Sequence, residues 1–135
     1  MENRFPIEFS EQGDAIILRL EMWDNTRTIS MAQGAASNAR EGSALGYSVG
    51  RWEGDTLVVT TTHIMWPYFD EQGTPQSPDI QVEERFTLSD SQTRLDYEVT
   101  IIDPVALREP ATRQGHWVWV PGEEVQNYGC TIYPQ

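Results

Sequence analysis

The sequence predicts an all-β protein, a small antiparallel sheet of about eight or nine strands that is strongly curved or closed into a barrel. Three observations carry this expectation. Apolar and polar residues alternate with a period of two in run after run, Gly- and Asp-containing turns separate the runs, and no long stretch repeats its apolar positions at helical spacing.

The elements follow in order. Phe5 to Phe9 reads as a short first strand, Glu11-Gln12-Gly13-Asp14 as a turn, and Ala15 to Trp23 as the return strand with Ile16, Leu18, Leu20 and Met22 on one face. After a turn at Asp24-Asn25, Arg27 to Met31 is a strand rich in Thr and Ile. Ala32 to Ala44, built from Gly, Ala, Ser and Asn, is a loop with room for one helical turn. Gly46 to Ile64 then forms a hairpin in which Glu53-Gly54-Asp55 reverses the chain, and His63 stands in phase with Leu57, Val59 and Thr61.

Met65 to Asp79 holds Pro67, Pro75, Pro78 and Gly73, which excludes a long regular element. Its aromatics, Trp66, Tyr68 and Phe69, predict a loop that packs down, either as a lid or as a cover for the core. Ile80 to Leu88 and Arg94 to Ile102 alternate cleanly, with a turn at Ser89 to Gln92, and predict a meander with one dry face. Gln114 to Val120 is a further strand, with Trp117 and Trp119 sharing a face, and Pro121-Gly122 turns into a last strand around Tyr128 to Tyr133. Residues 1–135 form one domain, a length that can bury a substantial core.

Nine Lys and Arg against twenty-one Asp and Glu leave a net charge of −12, which repels phosphate backbones and anionic lipid headgroups. Nucleic acid and membranes are therefore not expected partners. Cys130 is the only cysteine, so an intrachain disulfide and a thiolate metal cluster are excluded. The N-terminus lacks a basic segment followed by an apolar one, and the expected location is cytoplasmic.

The residues that could carry chemistry are few. Gly46-Tyr47-Ser48-Val49-Gly50 matches the nucleophile-elbow pattern, but a hairpin follows where that elbow needs a helix, so Ser48 reads as a strand serine between two glycines that permit a bulge. Glu84 shares its strand face with Val82, Phe86 and Leu88, and a carboxylate there must be paired, hydrogen-bonded or protonated. It is either an acid–base catalyst or the structural partner of an inward arginine such as Arg51. His63 and Glu84 would make a proton-transfer pair if their strands adjoin, with Tyr47, Arg51 and Tyr97 as donors to developing charge. Trp66, Tyr68 and Trp117 complete the expected substrate-binding set. His116, Cys130 and Asp70 lack the spacing of a metal site, so neither metal nor cofactor is expected.

The chain resembles an uncharacterised bacterial family whose members usually carry a secretion signal. The resemblance rests on Pro6-Ile7-Glu8 with Gln12-Gly13, Arg27-Thr28-Ile29, the block Gly50-Arg51-Trp52-Glu53-Gly54-Asp55-Thr56-Leu57-Val58-Val59, Asp70, Gly73, Glu84-Arg85-Phe86, Tyr97 to Ile101 with Asp103-Pro104, and Tyr128 to Cys130. It implies secreted relatives, and so a periplasmic origin as the alternative to the cytoplasm, and brings no activity. Thr60 stands where that family usually has aspartate and His63 where it has glycine, as in a specialised member.

Together these readings predict a lipocalin-like or calycin-like barrel that binds a hydrophobic or aromatic small molecule. Cofactor-free acid–base chemistry, as in an isomerase, cyclase or lyase, is the catalytic form of that expectation. The alternatives are a binding protein without turnover and an assembly module, with a homodimer if the tryptophans face outward.

Overall fold

The computed structural model describes residues 5–32 and 41–131. They form one eight-stranded, mostly antiparallel sheet curled through 218° into a half-barrel. The strands are β1 (Ile7–Gln12), β2 (Ala15–Leu20), β3 (Asn25–Ser30), β4 (Tyr47–Glu53), β5 (Thr56–Thr62), β6 (Gln81–Leu88), β7 (Arg94–Ile102) and β8 (Ala111–Val118), and they neighbour one another in chain order. The curved sheet expected from the sequence is present; closure is not, since β1 and β8 remain separate edges.

Two hairpins turn on Gly-Asp pairs. Gly13 and Gly54 take φ of 58° and 60°, between Gln12↔Ala15 and Glu53↔Thr56. Positive φ at the first turn position suits the right-handed twist of flanking strands and is open to glycine without a Cβ penalty. The β4–β5 register is continuous from Tyr47↔Thr62 to Glu53↔Thr56, so the bulge expected around Ser48 is absent. Gly50 serves packing instead, because a Cβ there would fall 2.5 Å from Met31 Sδ and 2.8 Å from Ile29 Cγ2.

Only β3 and β4 run parallel, paired at Ile29↔Ser48 and Ser30↔Val49. Of the loop expected from Ala32 to Ala44, residues 33–40 lie outside the described residues, and Ser43 forms a single parallel bridge with Ile64. Between β2 and β3 the chain makes a single 3-10 turn, Met22–Asp24, with Trp23 and Asp24 at φ of 62° and 51°.

Period two sorts the side chains as the sequence predicts. Ile16, Leu18, Ile29, Leu57, Val59 and Phe86 make the buried core, flanked by Ile7, Phe9, Leu95, Tyr97 and Trp117. Each fully buried aliphatic such as Leu18 or Ile29 contributes about 1.5–3 kcal/mol by leaving water. Leu88, expected inside, is 53 % exposed at the end of β6.

The last expected strand, around Tyr128 to Tyr133, is corrected. Residues 119–131 are irregular, and 132–135 lie outside the described residues. Instead the segment leaves β8 and reaches the β2–β3 turn beside the other sheet edge. Gln126 N–H donates to the Glu21 carboxylate at 3.0 Å and Tyr128 N–H to Asp24 at 2.7 Å. The Tyr128 ring packs on Phe5 and Trp23 with centroids 5.4 and 5.1 Å apart. This strap spans the open side of the half-barrel, and its own Val125 is buried.

Candidate functional site

Two features face the interior, a polar cluster and an apolar groove. The cluster follows from register. Leu18↔Arg27, Ile29↔Ser48, Ser48↔Thr61, Val59↔Glu84 and Phe86↔Tyr97 place Arg27, Ser48, Thr61, Glu84 and Tyr97 on the core side of successive strands. The curl brings them together. Arg27 donates from Nη1 to Glu84 Oε1 at 3.0 Å and from Nη2 to Oε2 at 2.6 Å, a bidentate pair. Its Nη2 also reaches Ser48 Oγ at 3.1 Å and Thr61 Oγ1 at 3.0 Å, and these hydroxyls bond each other at 2.8 Å. Tyr97 O–H donates to Glu84 Oε1 at 3.0 Å.

The side chains of Arg27 and Glu84 are only 14 % and 8 % exposed. Burial by itself would lower the Arg27 pKa, yet the charge and acceptor oxygens of Glu84 hold it above its ordinary value. Burial, and then the Glu84 carboxylate, push the Tyr97 phenol well above its ordinary value, against a smaller opposing pull from Arg27. Because the folded state holds this proton more tightly, the contribution is complete below the unfolded pKa of about 10 and is lost as pH rises beyond it. Tyr97→Phe is expected to cost about 1–1.5 kcal/mol at neutral pH. The urea midpoint of the parent should fall on going from pH 8 to 11 more than that of the variant, narrowing the gap between them.

The groove lies on the open side, between β1, β8 and the strap, with a volume of about 930 Å³. Phe9, Leu57, Phe86, Leu95 and Trp117 line its depth, and Trp52, Leu88 and Trp119 line its mouth. Three of these rings belong to an aromatic ladder completed by Tyr97, Phe9–Phe86, Phe86–Tyr97 and Tyr97–Trp117, with centroids 5.1, 5.1 and 5.2 Å apart. Trp117 Nε1 donates to Phe5 O at 3.3 Å and so ties one edge strand to the chain entering the other.

The expected site residues divide. Glu84 and Tyr97 meet, Trp117 joins them through Tyr97, and the others stand elsewhere. His63 lies beyond the end of β5 at φ 57°, its Nδ1 2.9 Å from Thr62 Oγ1, so the left-handed backbone ends the phase that would have carried it inward. The contacts of Glu84 are with Arg27 and Tyr97, and the expected His63–Glu84 pair does not form. Arg51 sits opposite Val58 on the outer face and pairs with Glu53 at 3.3 Å, so it is not the partner of Glu84. Tyr47 has the same outward parity, opposite Thr62.

Trp66 and Tyr68 are 56 % and 45 % exposed and pack edge to face at 6.4 Å. Their loop is held by the Asp70 carboxylate, which accepts from Gln72 N, Thr74 N and Thr74 Oγ1, and it forms no part of the groove wall. The expected lid is therefore corrected: the loop is held by Asp70 and, through Ser77, by Asp103, away from the groove. Trp117 and Trp119 both border the groove, but β8 ends at Val118, and Trp119 is 71 % exposed at the mouth while Trp117 is partly buried.

Sequence reasoning passed over Arg27. The signal was available, because Arg27 alternates with Ile29 and Met31 as Glu84 does with Val82 and Phe86. The strap had no such signal, since an irregular segment has no period. Among the described residues no group of three or more His, Cys, Asp or Glu is placed to hold a metal ion. No family model, curated protein or solved structure matches this chain. Gly50 to Val59, the core of the resemblance noted above, builds the β4–β5 hairpin and so bears on the groove through Trp52 and Leu57.

Proposed function

We propose that the protein binds one apolar or aromatic small molecule in the groove between β1, β8 and the strap, and that Glu84 belongs to the scaffold. One observation carries the reading: a continuous aromatic and aliphatic wall borders about 930 Å³ of open space, within the ~300–1,000 Å³ range of small-molecule sites. Acid–base turnover through Glu84 has less support, because its carboxylate is already engaged by Arg27 and Tyr97 and the residue is 6 % exposed. His63, the other expected catalyst, is not part of the cluster.

The test is a titration with N-phenyl-1-naphthylamine, a neutral aromatic probe, read by energy transfer from tryptophan. Saturable binding of one probe per chain is expected. Trp52→Ala with Trp119→Ala removes two exposed rings from the mouth and should weaken binding about tenfold while leaving the fold intact. A signal that rises linearly without saturation, or an affinity unchanged in that variant, would overturn the assignment.

A further inference from the structure

The mouth of the groove is bordered by carboxylates. Glu11 on β1, Asp55 in the β4–β5 turn, and Glu123 and Glu124 on the strap all line it. None of the four forms an ion pair among the described residues. The other acid there, Glu8, stands opposite Arg19 across the β1–β2 ladder. The cation of the wall is already faced by acid: Arg94 Nε lies 2.9 Å from Asp96 Oδ1, and the same aspartate stands opposite His116 in register.

The apolar part of the mouth is indole. Trp52 and Trp119 are 59 % and 71 % exposed, and Trp117 lies deeper in the same wall. Indole rings attract cations electrostatically, and most strongly where water is partly excluded. A carboxylate or sulfate head would be repelled by the acids that border this mouth. A neutral head would gain little from them, and an ammonium head would gain from both the carboxylates and the rings.

Building on the binding reading above, we infer that the groove selects an amphipathic cation, an apolar body carrying an amine or quaternary ammonium group that stays at the mouth. The chain's net charge of −12 attracts any cation diffusely, but such attraction is screened beyond about 8 Å at 0.15 M salt. Selection by the mouth itself therefore persists at that salt.

Decyltrimethylammonium, decan-1-ol and decanoate share a chain and differ in head charge. Titrated calorimetrically below their micelle concentrations in 0.15 M salt, the ammonium should bind about tenfold more tightly than the alcohol, and the alcohol more tightly than decanoate. In the triple variant Asp55→Asn, Glu123→Gln, Glu124→Gln, the ammonium should lose most of its advantage over the alcohol, whose own binding stays unchanged, with Glu11 and the indole rings keeping the remainder. Glu71→Gln with Asp79→Asn, which neutralises two acids outside the groove wall, should leave the preference intact.

Equal binding of ammonium and alcohol by the parent would overturn the inference while the groove assignment stands. Failure of all three to saturate would remove the groove assignment itself. Loss of the preference in the distal variant as large as in the mouth variant would assign it to diffuse charge and also overturn the inference.

Discussion

Arg27→Met is expected to destabilise the protein by about 3–5 kcal/mol, because it leaves the Glu84 carboxylate buried without its counter-charge. The variant removes both arms of the bidentate pair, at 3.0 and 2.6 Å, and the donor that serves Ser48 and Thr61. The two hydroxyls still have each other at 2.8 Å, so the unpaired carboxylate dominates the cost. Replacing the charged network as a whole has a different consequence. Arg27→Met with Glu84→Leu and Tyr97→Phe leaves no charge and no orphaned phenol in the cluster, and should recover most of the loss. Urea unfolding of the parent, the single and the triple variants measures this directly. If the cluster is scaffold, the triple variant also binds the naphthylamine probe with parental affinity. A triple variant as unstable as the single one would show that the interior does not accept apolar side chains there.

The same cluster shows how far alternation carries a reading of this chain. Period two placed Glu84 and Tyr97 inside correctly, because β6 and β7 are regular and continuous in register. It misplaced His63, because one left-handed residue after Thr62 ends the strand, and His63 is not a residue type that announces such a turn as glycine does. Arg51 went astray for a different reason. It lies in the conspicuous β4–β5 hairpin, but shares parity with Val49 and not with Ser48, and opposes Val58 on the outer face. Arg27 needed both its own alternation and the short parallel β3–β4 pairing, a non-local contact that no local pattern encodes. The groove itself was least legible. It exists because the sheet stops short of closing and residues 119–131 cross the gap without a period, pinned by Glu21 and Asp24.

Asp103 is the other buried charge, and its removal should be the second most costly. It stands just past the end of β7, is 2 % exposed, and joins the loop that enters β6 to the loop that leaves β7. Its Oδ2 accepts from Ser77 N–H at 2.7 Å, and its Oδ1 accepts from Ser77 O–H at 2.6 Å, Val105 N–H at 3.1 Å and Ala106 N–H at 3.0 Å. Asp103→Ala strips the acceptor from three backbone amides at once and should cost about 2–4 kcal/mol. Asp103→Asn keeps one carbonyl oxygen and should cost less. Burial favours the protonated acid, but the Ser77 hydroxyl and the three amides together hold the carboxyl below its ordinary range. A depressed folded pKa gives stability that is complete above the unfolded value of about 3.9 and is lost as pH falls toward the folded one. The gap in urea midpoint between the parent and Asp103→Asn should therefore be widest near neutrality and shrink below about pH 4. Amide exchange provides a local check: Ser77, Val105 and Ala106 should lose protection in Asp103→Ala before the amides of β5 do, since the latter are bonded on both sides within the sheet. Uniform loss across both groups would mean that Asp103 supports the whole sheet and not the two loops it joins.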